Sequence, residues 1–163
     1  VANSLQDWEN GLFPEATHVI FDEAEEVESK ATIVEIRNRV IVDSSKLTLG
    51  QKIDLITVLS AGSDYLKTKA LRGKSDSFVN VELDKYIQKN AKEVLRVMNM
   101  SKEDLSTQAL VLEALQKHVL VKEGLKIKFF EESLGNDINE AVDRLNTPEY
   151  NDIKVRIMQQ LNS

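Results

Sequence analysis

The chain has 163 residues, with 21 Lys and Arg against 27 Asp and Glu, a net charge of −6, and no cysteine. Disulfides, thiolate metal sites and a cysteine nucleophile are thereby excluded. Two prolines and six glycines argue against disorder and against a many-turned β-sandwich.

No apolar run approaches the ~20 residues of a membrane helix. The opening "VANSLQDWENGLF" lacks a basic region followed by an apolar core, so a cytoplasmic location is the default expectation. Charge is sorted along the chain. Residues 1–30 hold eight acids and one base, Lys30, whereas residues 31–163 are balanced at nineteen acids and twenty bases. The division this suggests is an acidic N-terminal segment, 1–46, and a helical domain, 47–163.

In chain order, "SLQDWEN" (4–10) reads as a short helix with Trp8 as a packing anchor. Residues 17–42 admit two readings. "TIVEIRNRVIV" (32–42) is rich in Thr, Ile and Val, and "THVIF" (17–21) can pair with it as a β-hairpin. Against this, Ile20, Ala24, Val27, Ala31 and Val34 recur at steps of 4, 3, 4 and 3, a helical stripe. The hairpin is preferred because β-branched side chains lose rotamer freedom in a helix.

From Leu47 the signals are helical. Leu49, Ile53, Ile56 and Leu59 share a face, with Gly62 as a stop, and "SDYLKTKALRG" continues as a turn or two of helix. Residues 79–99 form the clearest amphipathic helix, its apolar side Leu83, Ile87, Val94 and Met98. Ser101 opens a near capping box, and the helix it starts, to about Val121, is apolar almost all round, which places it centrally in a bundle. "LKIKFFEESLG" (125–135) is a short strand or a helix, and 137–146 a short helix. Thr147 and Pro148 cap the last helix, which lines up Ile153, Ile157 and Leu161. The expected fold is mainly α: a compact bundle of about five to seven helices with a short N-terminal β-hairpin.

Motifs for chemistry are sparse. "VIFDEAEE" is similar to the magnesium-positioning box of nucleotide-driven motors, but no G-x-x-x-x-G-K-[ST] accompanies it. Glu15 and His18 have Glu-x-x-His spacing, yet the other histidine, His118, has Leu115 three residues before it, so a di-iron site lacks its second motif. "DEAEEVE" has neither the alternation nor the glycine of a calcium loop. His118, in an apolar helix, reads as a partly buried structural residue. No cofactor, metal or catalytic residue is assigned. "QKIDLITVLSAGSDYLKTKA" is a poor match to a helix-turn-helix.

The basic residues are more suggestive. Lys67, Lys69, Arg72 and Lys74 lie within eight residues free of acids, and Lys85, Lys89, Lys92 and Arg96 step by 4, 3 and 4 along one helix stripe. Together they can form a single positive patch. Asp22, Glu23, Glu25, Glu26 and Glu28 form its acidic counterpart. The functional expectation is a non-enzymatic interaction or assembly protein that binds partner proteins or copies of itself through these regions. The alternative is a nucleic-acid-binding protein using the Lys67–Arg96 patch.

Overall fold

A computed structural model of the chain describes residues 16–61 and 69–163, with side chains from residue 24 onward outside the gap. The helix expected at 4–10, most of that at 63–73, and Lys67 lie outside the described residues.

The fold is mainly α, as the periodicity predicts. In order come α1 (Ala16–Ser45), α2 (Leu49–Leu59), α3 (Asp76–Met98), α4 (Lys102–Gln116), β1 (Val121–Glu123), β2 (Lys126–Phe129), β3 (Glu132–Gly135), α5 (Ile138–Leu145), a 3₁₀ turn (Pro148–Tyr150) and α6 (Asn151–Asn162). Residues 17–42 are therefore not a hairpin; they belong to one helix of 30 residues. Ile36, Val40 and Ser44, at steps of four, turn towards the bundle, and Val40 is fully buried. Packing of that face against α3 offsets the rotamer cost of the β-branched residues. The helix also satisfies its own polar groups. Thr32 Oγ1 donates to the Glu28 carbonyl at 3.0 Å. Glu26 and Lys30, and Arg39 and Asp43, pair across one turn at 2.6 and 3.6 Å.

Capping sets the remaining helix starts. Thr48 and Gln51 form a reciprocal capping box at α2. Ser75 caps α3, Ser101 caps α4 and Asp137 caps α5, each accepting a backbone N–H through its side-chain oxygen. Thr147 precedes Pro148 as expected, although the first turn is 3₁₀ before α6 begins.

Two apolar cores share α4. The first gathers Val40, Ile53, Leu55, Ile56, Leu71, Val79, Leu83, Ile87 and Val94 with Leu105, Ala109 and Leu112. The second sets Val111 and Ala114 against Leu120, Ile127, Phe129, Leu134, Val142, Leu145 and Ile157. This is why α4 is apolar almost all round. It ends at Gln116, earlier than its composition suggests, and the apolar run continues into the sheet. That sheet is antiparallel with order β1-β2-β3 and a bulge at Ile127/Lys128. A polar staple ties α4 to the C-terminal helices: Asn146 accepts from Thr107 at 2.6 Å and from Lys154 at 2.8 Å, and donates to Asp104 at 2.8 Å.

Candidate interaction surfaces

Beyond its packed face, α1 presents a second one that has no partner among the described residues. Residues 24–35 are exposed throughout. The stripe Ala24, Val27, Ala31, Val34, Asn38 and Ile41 alternates steps of 3 and 4 and lies away from Ile36 and Val40. Its large members stay in water: Val27 is 68% exposed, Val34 51% and Ile41 44%. Over residues 24–34 that periodicity is thus a true helical stripe, but it faces outward; the side chain of Ile20 lies outside the described set. Glu25, Glu26 and Glu28 of the acidic segment are exposed on the same helix. Asp22 and Glu23 are on α1 too, with side chains outside the described set.

The basic residues divide into two groups. Three are engaged by carboxylates. Arg72 clasps both oxygens of Glu113 at 2.6 and 2.7 Å, and that glutamate is 3% exposed. Lys85 reaches Glu82 at 2.5 Å, and Arg96 holds Glu93 through two bonds of 2.9 and 2.6 Å. That last contact keeps the Glu93 carboxyl below its ordinary range and the Arg96 guanidinium above its own. Lys69 is exposed, and Lys74 sits 5.7 Å from the ring centre of Phe78. Lys89 and Lys92 are exposed and have no carboxylate within ion-pairing distance among the described residues.

Lys89 and Lys92 instead share a concavity of about 250 Å³ with Arg37, a residue that sequence reasoning did not single out. Ile33 and Ile36 of α1 and Gln88, Asn90 and Ala91 of α3 complete its wall, which contains no Asp or Glu among the described residues. Arg37 is partly buried, and its Nε is enclosed without a hydrogen-bond partner among the described residues. Asn90, at the mouth, breaks α3 with φ −158° and ψ 82°. Its side-chain oxygen accepts from the Glu93 N–H at 3.2 Å, the bond of an N-cap, so residues 91–98 restart as a second helical segment. The clue to Arg37 is available only once 17–42 is taken as a helix, which brings 33, 36 and 37 to one side.

Besides a hollow of about 270 Å³ that sets Lys69, Arg72 and Lys117 around Glu113, two other concavities among the described residues carry charge, and each contains its own counter-charges. One of about 420 Å³ between α1, α2 and α3 holds Lys52 with Asp76 and Asp84, and Lys52 donates to Asp76 at 2.8 Å. That bond lowers the Asp76 carboxyl below its ordinary pKa. The other, about 170 Å³, holds Asp54, Arg72 and Glu113 beside Ser106. Burial pushes Asp54 up to about 6, with Arg72 opposing and Glu113 adding to the rise. Burial also raises Glu113, against the pull of Arg72. His118 is not partly buried as expected: it is exposed, in left-handed conformation at φ 57°, just after α4. Among the described residues no three His, Asp or Glu side chains converge as a metal would need, and no helix is long and apolar enough to cross a membrane.

Compared with known proteins, the chain matches no family model, no curated sequence and no solved structure.

Proposed function

We propose that the protein is a non-enzymatic assembly module that binds partner proteins, first among them a second copy of itself, through the outward stripe of α1. The observation that carries this reading is the exposure of Val27, Val34 and Ile41 on a helix that already has a separate packed face. The stripe has the a/d rhythm of a coiled coil, with Ala24, Ala31 and Asn38 at a and Val27, Val34 and Ile41 at d.

Flanking charge favours a parallel pair. Parallel helices set each g residue beside the next e residue of the other chain, which brings Lys30 to Glu35 twice and, as the unfavourable pair, Glu23 to Glu28 twice. Antiparallel helices would set e against e, and the charged e residues are Glu28 and Glu35. The seam from 24 to 41 is only about 27 Å long. Association is therefore weak and concentration-dependent.

Light scattering across a concentration series tests the reading. The expected mass rises from 18.4 kDa towards twice that value, and V27E/V34E holds it at the monomer. A wild-type chain that stays monomeric at millimolar concentration defeats the proposal.

Nucleic-acid binding is the second reading. The exposed Phe78 beside Lys74 favours it, since an aromatic face next to a cation suits a single strand. The carboxylates on Arg72, Lys85 and Arg96 weaken it. It predicts a gel shift at low salt that disappears steeply as salt rises.

A further inference from the structure

We propose that the concavity where α1 crosses α3 is a binding site for a phosphoryl-type anion, held by Arg37, Lys89 and Lys92. The site goes beyond assembly and requires no second chain.

Four observations converge on it. Three cationic side chains line one hollow, and no carboxylate lines it with them. In a chain with net charge −6 that is a local inversion, and each of the other charged hollows among the described residues contains at least one acid of its own. The Nε of Arg37 is enclosed and donates to nothing among the described residues. A guanidinium N–H is a strong donor, and leaving one buried without an acceptor is costly; an anion in the hollow would supply the acceptor. The kink at Asn90 opens a new helix start at the same place, where first-turn N–H groups and the positive end of the helix dipole favour negative charge.

Size points to the chemical class. At about 250 Å³ the hollow is below the roughly 300 Å³ at which pockets for drug-sized ligands begin. It accommodates a phosphate group or a small phosphate monoester. Arg37 can offer two parallel N–H bonds to such a group, and Lys89 and Lys92 act as point charges at the rim.

Calorimetric titration with inorganic phosphate, and separately with glycerol phosphate, at constant ionic strength set by chloride, tests the site. Saturable binding is expected with at least one of them, and the tighter of the two identifies the free ion or the monoester as the ligand form. Exchanging two exposed lysines, K89Q/K92Q, leaves the fold intact and weakens binding roughly tenfold or more. R37K keeps the charge, loses the planar fork and weakens binding less. K85Q, at a lysine outside the hollow, leaves affinity unchanged. The V27E/V34E chain binds as the wild type does, so a failed assembly reading and a failed anion site are told apart. No saturable heat with either probe, or equal affinity in K89Q/K92Q, overturns the proposal.

Discussion

At the scale of single residues, burial and backbone geometry decide what sequence patterns leave open. Asp54 keeps its proton to about pH 6 because it is largely enclosed, whereas an unfolded chain releases it near the ordinary 3.8. Its contribution to stability is therefore complete below about pH 4 and is lost as pH rises through 6. Asp54→Asn removes that loss. Urea midpoints should show the variant more stable than wild type at pH 7.5 by on the order of 1–2 kcal/mol, after allowing for the solvent that still reaches the group, and little different at pH 4. A variant with the same pH profile as wild type would refute the assignment. Gly135 is a second case. Its φ is +147°, and a Cβ there would lie 2.5 Å from the Cβ of Glu140. That glutamate is fixed in turn, accepting from the Asn136 N–H at 2.8 Å. Gly135→Ala should cost about 2–4 kcal/mol by chemical denaturation. The glycine is visible in the sequence; the neighbour that requires it comes from the next helix and is not.

At the scale of elements, amphipathic helices with capping residues were legible, and β-branched runs were not. The helix expected at 79–99 forms over Asp76–Met98, and Ser101 and Thr147 mark starts as their residue types suggest. The hairpin at 17–42 failed because propensity is a local argument, while Ile36 and Val40 are held by a helix that begins only at Asp76. The basic residues were legible as a pattern, but the pairing of three of them with carboxylates was not. Glu82 and Glu93 sit three residues from their partners and are visible in principle, whereas Glu113 reaches Arg72 from a different helix. The outward face of α1 makes a sharper prediction than its charges do. Asn38 occupies an a position, where a buried amide fixes strand number and register at a cost in affinity. Asn38→Val should leave monomer stability within about 0.5 kcal/mol, since the residue is exposed there. Sedimentation equilibrium should find tighter association and species larger than a dimer. Unchanged association would mean that copies do not meet along this seam.

At the scale of the whole molecule, the distribution of charge separates two ways of assembling. The acidic residues are concentrated in 1–30, and the remainder of the chain is balanced. If an acidic segment docked on the basic stripe of another copy, attraction would drive the contact and added salt would weaken it. The seam on α1 behaves oppositely. In the proposed parallel pair the Glu25, Glu26 and Glu28 of each chain would come side by side with only Lys30 near them, and the apolar contact would have to overcome their repulsion. The Lys30–Glu35 pairs recover part of this, but they are rim pairs of small individual worth. Raising the salt from about 20 to 300 mM shortens the screening length from roughly 20 to 6 Å and removes most of the repulsion. Apolar burial is little affected over that range. Self-association measured by light scattering should therefore tighten with salt. Substituting Glu28 with Gln should reproduce part of the gain at low salt, because that exposed carboxylate flanks the seam. A dimer that dissociates as salt rises would instead return the interface to the acidic and basic regions, and the outward valines would then need another partner.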